Sequence, residues 1–178
     1  MVLVKTIALD AGHGLRTAGK QTPNGIKEWT LNDNVRDKVV ELLREYDVRI
    51  INIDNDEGIT DESLINRKNT YLKNRVDAMV SIHHNSLNGK WNKATGVEIY
   101  VDNNATVDDM RLANLVYTRL IKYTGLKGRG IKRANFTVIN QNTIPAILCE
   151  GGFMDGSSDY RFITSKYGQN MYAKAIAD

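Results

Sequence analysis

Short runs of branched apolar residues alternate along this chain with longer stretches whose apolar residues recur at helical spacing. That alternation restricts the fold more than any other feature. Residues 3–9 form one such run, within a segment from Met1 to Asp10 that reads as a strand, and it stops abruptly at Asp10-Ala11-Gly12-His13-Gly14, the pattern of a central strand feeding a loop. From Glu28, the spacing of Leu31, Val35, Val39 and Leu42 or Leu43 predicts a helix running to about Tyr46. Val48, Ile50, Ile51 and Ile53 predict a second strand. Thr60 or Asp61 is then placed to cap a helix carrying Leu64, Ile65, Tyr71 and Leu72, and residues 78–82 read as a third strand ending in His83.

The second half continues the pattern. Residues 96–101 predict a strand, and residues 107–123 a helix ended by Gly125. Residues 136–139 and 144–150 are short strand candidates, and residues 167–177 a last helix. Alternation of this kind predicts a single α/β domain over residues 1–178, with a mainly parallel, twisted sheet and helices on both faces. In such folds ligands bind beyond the carboxyl ends of the strands, near a switch point in the strand order.

Composition narrows the class. A chain of 178 residues with 42% apolar and 25% charged residues suits one soluble core, burying about 70% of the surface the unfolded chain exposes. No stretch approaches the roughly 18 apolar residues of a membrane span, and the first residues lack the pattern of a secretion signal. The net charge of +3 is mild, and neither a nucleic acid nor a membrane is expected as partner. A basic cluster runs from Lys122 through Lys127, Arg129 and Lys132 to Arg133, either an ordinary solvated face or one that favours an acidic polymer. Cys149 is the only cysteine, so no internal disulfide forms, and its apolar surroundings indicate packing rather than nucleophilic chemistry.

Of three histidines, His13 and His83 directly follow strands predicted to end at one sheet edge. Two neutral imidazoles and one carboxylate leave a zinc ion an open position for water or substrate. Glu28, at the start of the first helix, can supply the carboxylate, although acidic residues are favoured in any first helical turn. His84 competes with His83, but neighbours on a strand point to opposite faces, and periodicity does not choose between them. Glu150 follows an apolar strand and precedes Gly151-Gly152, where a desolvated carboxylate serves as a base or simply bonds to the following turn.

Taken together, these residues resemble the zinc-dependent N-acetylmuramoyl-L-alanine amidases of the type 3 family, over nearly the whole chain. Asp10-Ala11-Gly12-His13-Gly14, Glu28 ahead of Trp29-Thr30-Leu31-Asn32, Leu64-Ile65-Asn66-Arg67, Ser81-Ile82-His83-His84-Asn85, Thr95-Gly96-Val97-Glu98, residues 128–136 and residues 144–153 match its motifs in order. The resemblance implies a zinc exopeptidase-like fold, one Zn2+ held by His13, Glu28 and His83, and Glu150 as the catalytic carboxylate; it selects His83 over His84. Arg67 and Asn85 would support the ligands. His84 replaces the family's usual small residue and is expected to face solvent or sit at the rim, and Met154-Asp155-Gly156 also departs from the pattern.

The implied reaction is hydrolysis of the amide between N-acetylmuramic acid and L-alanine in peptidoglycan. The loops around His13 and over residues 128–136 are expected to wall an open groove. Two rivals are a zinc peptidase cutting within the stem peptide and a non-catalytic wall-binding module, which would lack a ligand or the base. The expected setting is a monomeric phage or prophage lysin held in the host cytoplasm until lysis, or an autolysin released outside the cell. A separate C-terminal wall-binding domain, absent from this chain, fits either setting.

Overall fold

The computed structural model describes residues 5–178, so the expectation for the first four residues lies outside it. Six strands, β1 (Lys5–Ala11), β2 (Val48–Asn52), β3 (Ala78–Asn85), β4 (Val97–Val101), β5 (Gly128–Arg133) and β6 (Ala146–Phe153), form one sheet in the order β2-β1-β3-β6-β4-β5. Only the β4–β6 pairing is antiparallel. Five helices accompany the sheet: α1 (Glu28–Leu43), α2 (Leu64–Lys73), α3 (Val107–Thr124), α4 (Ser157–Ile163) and α5 (Lys166–Ala177). The expected fold class, a mainly parallel sheet covered on both faces, is the one observed.

Strand alternation sorts the core into two layers. Leu9, Val80, Ile82, Ile147 and Cys149 point to the face covered by α1, α3 and α5, where they meet Val35, Val39, Val116, Leu120 and Tyr172. Ala8, Met79, Ala146 and Leu148 point to the other face, under Tyr71 of α2 and the buried pair Val138 and Ile139. Cys149 is buried, as its surroundings in the sequence required, and burial pushes its thiol pKa upward.

Sequence expectations fail at the elements with least apolar periodicity. Residues 136–139 form a turn: Ile139 and Asn140 donate backbone bonds to the Phe136 carbonyl, and the Tyr71 hydroxyl donates to the Val138 carbonyl at 2.9 Å. Their apolar side chains plug the α2 face instead of joining a ladder. The strand in this region is β5, an edge strand carrying two glycines and three cations, residue types suited to an unpaired edge. Residues 128–136 are thus a strand and turn, not the expected loop. Helix α4 was not expected, α1 stops at Leu43 short of Tyr46, and Ser63 caps α2 in place of Thr60 or Asp61. Helix α3 begins and ends as expected: Thr106 and Asp109 form a capping box, and Gly125 takes the left-handed conformation at φ 66°.

Strands β1 and β3 lie side by side, with β1 leading outward to β2 and β3 toward the opposite half of the sheet. The switch point of the topology falls between their carboxyl ends. The end of β1 is braced there by Arg67 from α2, whose side chain is wholly buried. Its five N–H groups reach Asp10, the Ala11 carbonyl at 2.9 Å, the His13 carbonyl at 2.8 Å, Asp61 at 3.1 Å and the Glu62 carbonyl at 2.9 Å. Asp10 also accepts from the Ser81 hydroxyl of β3 at 2.5 Å. On the other side Asp54, itself held by Arg36, accepts the Ala11 N–H at 3.1 Å.

Removing a buried guanidinium strands a buried carboxylate, which costs about 3–5 kcal/mol. Arg67→Met is expected to lose stability of that order in urea unfolding. A loss below about 1 kcal/mol would mean that the brace is not needed.

Candidate metal centre and cleft

His13 ends the β1 segment at φ 69°, a left-handed conformation that is uncommon for a residue with a Cβ. The Arg67 bond to its carbonyl holds it there. Gly12 immediately before it leaves room for His83: a Cβ on Gly12 would lie 2.1 Å from both Cε1 and Nε2 of the His83 ring. The Gly12 N–H donates to the Ile82 carbonyl at 3.0 Å, setting the two histidine loops level. Glu28 opens α1, is buried, and reaches between them, with Oε2 3.4 Å from His13 Nε2 and Oε1 3.1 Å from His83 Nδ1.

The structure therefore brings His13, Glu28 and His83 together, with one ligand atom from each inside a 4.8 Å cluster. Burial alone would raise the Glu28 pKa, but bonds from His13 and His83 outweigh it and hold the carboxyl well below the usual range. Burial likewise opposes charge on His83, and the Glu28 carboxylate more than offsets it. Two imidazoles and a carboxylate suit a divalent ion of the zinc type. Each Glu28 oxygen faces one imidazole nitrogen, at 3.1 and 3.4 Å, and one ligand atom from each residue falls within a span that a single ion can bridge. The residues fit a metal.

His84 does not sit at a rim or face solvent. It is 2% exposed, because neighbours on β3 alternate and its side chain falls on the α1 and α5 face. There its Nδ1 lies 2.8 Å from Asn32 Oδ1, and its ring packs edge-on against Tyr172. Asn32 in turn donates to the Gly12 carbonyl at 3.0 Å. Burial lowers the His84 pKa to about 4, so the ring is neutral at pH 7. The pair ties the second turn of α1 to both histidine loops, a role for Asn32 that helical spacing alone did not reveal.

Glu150 stands directly across from His83 in the β3–β6 register, and across from Glu98 in the β4–β6 register. Directly opposed residues share a sheet face, so Glu150 shares the face of the His83 ring. Its Oε2 is buried without a hydrogen-bond partner. Burial raises its pKa to about 8; the His83 ring pulls it down, while Glu28 and Glu98 push it further up. A carboxyl in this state exchanges a proton near neutral pH.

A cleft of about 580 Å³ has Glu28, His83 and Glu150 on its floor and residues 18–23 and 86–89 as walls. A second cavity, about 290 Å³, reaches His83 from the side of His13, Asp61 and Arg67. The loop after His13 supplies a wall, as expected. Residues 128–136 line neither cavity. The second wall is instead residues 86–89, fixed by Asp155. That buried carboxylate accepts the Ser86 hydroxyl at 2.8 Å and the N–H groups of Leu87, Asn88 and Gly89 at 2.9 Å each. Asn85 reaches Glu98 at 3.3 Å rather than any of the three clustered residues.

Against known proteins, the sequence model of the family described as N-acetylmuramoyl-L-alanine amidase matches residues 7–178. The Bacillus subtilis protein YqiI is 31% identical over 98% of this chain and 80% of its own length. The endolysin of Bacillus phage SPP1 is 31% identical over 98% of this chain, which spans 64% of that protein. Among solved structures, an N-acetylmuramoyl-L-alanine amidase from Clostridium difficile 630 superposes with a TM-score of 0.90 at 29% identity, covering 98% of this chain and 93% of that one.

Two substitutions test how the site is held. Gly12→Ala is expected to displace the His83 ring, cost about 1–3 kcal/mol in urea unfolding, and shift the His83 imidazole resonances more than those of His84. Burial would raise the Asp155 pKa, but the N–H groups of residues 87–89 hold it below the usual value of 3.8. Its stabilising contribution is therefore present above that value and lost as pH falls below it. Asp155→Asn is expected to cost about 1–3 kcal/mol at pH 7 and markedly less at pH about 3. An equal loss at both pH values would contradict the charge-assisted anchor.

Proposed function

The chain belongs to the N-acetylmuramoyl-L-alanine amidase family, and on that premise we propose that it hydrolyses the amide joining the lactyl group of N-acetylmuramic acid to the L-alanine of the stem peptide in peptidoglycan. In this reading one zinc ion is held by His13, Glu28 and His83, and Glu150 carries the proton. The observation that carries it is the position of Glu150, a half-buried side chain with one buried, unpartnered oxygen, on the same sheet face as the His83 ring of the clustered His13, Glu28 and His83. His13 follows β1, His83 lies near the carboxyl end of β3, Glu150 lies opposite it in β6, and Glu28 opens α1.

Zinc bound there supplies a Lewis acid for the scissile carbonyl and lowers the pKa of water from 15.7 to about 7. Everything else falls to the chain. Glu150 accepts the proton of the attacking water and returns it to the leaving amine, which a carboxyl freed from strong hydrogen bonds does readily. Gly12 and the neutral His84–Asn32 pair keep the two imidazoles in place, so that their ring nitrogens stay beside Glu28. Open walls at residues 18–23 and 86–89 admit a polymer from the side. Similarity to the SPP1 endolysin supports a lysin role; in this proposal the chain is held in a host cytoplasm until lysis, and an autolysin released outside the cell would use the same chemistry.

Mass spectrometry of products from purified peptidoglycan tests the reading. Stem peptides beginning in alanine are expected from the unmodified protein. Zinc chelation should abolish them, and Glu150→Gln should lower their rate by roughly 10²–10⁴-fold. Fragments cut inside the stem would replace this reading with a stem peptidase, and wall binding without products with a binding module.

A further inference from the structure

Two arginines near the sheet's carboxyl end are used differently. Arg67 commits all five N–H groups to protein acceptors. Arg129, on β5, commits only Nε, which donates to Glu98; its Nη1 and Nη2 have no hydrogen-bond partner among the described residues. Its side chain is 34% exposed. It is nonetheless held from three sides. Glu98, 1% exposed, takes the Nε bond; the guanidinium lies 4.9 Å over the Phe153 ring; and Gly96 leaves room for the stem, since a Cβ there would come within 2.9 and 3.0 Å of Arg129 Cγ and Cδ. The outcome is a planar fork, oriented in advance, with its paired donors unspent.

Lys132, the next cation on the strand, places Nζ 2.7 Å from the same Glu98 oxygen and is also partly exposed. The Tyr100 hydroxyl donates to the other Glu98 oxygen at 2.8 Å. Two cations thus share one carboxylate. Glu98 is directly opposite Glu150 across the β4–β6 ladder, which puts their Cβ atoms about 5 Å apart.

We propose that Arg129, with Lys132 beside it, is a subsite for a carboxylate on the peptide side of the scissile amide. The proposal rests on the amidase reading. Once the lactyl carboxyl is tied up in the amide, the acetylated sugar side carries no charge, whereas the peptide side ends in a carboxylate and presents further ones on acidic residues. Arg129 bonds to Glu98, which stands directly opposite Glu150, so the group it meets belongs to the part of the stem near the cut bond rather than to its far end. A bidentate Arg–carboxylate pair supplies direction as well as attraction; since Arg129 lies outside both cavities, it would set which way the stem runs where it leaves the cleft.

The test compares release of alanine-terminated stem peptides from untreated sacculi and from sacculi whose carboxyls have been converted to carboxamides. The zinc-loaded protein is expected to cut untreated wall at least tenfold faster. Arg129→Gln should bring that ratio within twofold of one, and Arg129→Lys, which keeps charge but not the fork, should fall between. Lys122→Gln removes the same charge at the far end of α3 and should keep the unmodified ratio, separating a local contact from general attraction to an acidic wall. Equal rates of the unmodified protein on both walls would overturn the proposal, as would an Arg129→Gln protein slowed on both in equal proportion. No release from untreated wall would instead overturn the amidase reading itself.

Discussion

One buried guanidinium organises the end of the sheet. Arg67 reaches from α2 across the carboxyl end of β1 and satisfies two carboxylates and three backbone carbonyls at once. Without it, Asp10 would be a buried charge with only a serine hydroxyl for company, and the left-handed His13 would have nothing holding its carbonyl. A parallel sheet gathers strand ends at one edge but does not fix the loops that leave them. That fixing is done here by ions and amides in the interior, where they cost desolvation and repay it only when every donor is matched.

The same edge shows how strand alternation divides labour between adjacent residues. His83 and His84 are chemically identical neighbours on β3 with opposite surroundings. One ring meets Glu28 and faces the cleft; the other is pressed between α1 and α5 and kept neutral. On the facing strands the carboxylates divide likewise. Glu98 is neutralised by cations, and Glu150 is given none in hydrogen-bonding distance. Two acids on one row thus reach opposite protonation behaviour: cations hold Glu98 below the usual range against its burial, while burial without such partners pushes Glu150 above it.

Sequence reasoning was strongest where a residue's type and its place in a period coincide. Branched runs located β1, β2, β3 and β6, and abrupt polar stops after them pointed to His13, His83 and Glu150, which the fold does bring to one region. It failed where side chains act against their type. Val138 and Ile139 look like strand residues but plug a layer; Gly128–Arg133 look like a loop but pair with β4. The part played by Asn32 was invisible because a polar residue near the start of a helix has an ordinary local explanation, and that of Asp155 because its partners lie nearly seventy residues away. His84 was misplaced for a different reason: alternation showed that it leaves the His83 face, but not that α1 and α5 cover the face it joins.

Asp155 gives the cleft a further property. One carboxylate bonded to three consecutive amides and a neighbouring hydroxyl makes residues 86–89 a fixed rail, with no slack segment able to fold over a guest. The opposite rail is also tied down, by the Thr22 and Lys20 backbone bonds to Ile26 and Glu28. Rails bonded in this way favour a substrate laid across the site over one enclosed by it. Its pace on a meshwork such as the proposed cell wall would be governed by how often the mesh itself presents a strand at the right tilt, a mechanical property of the target.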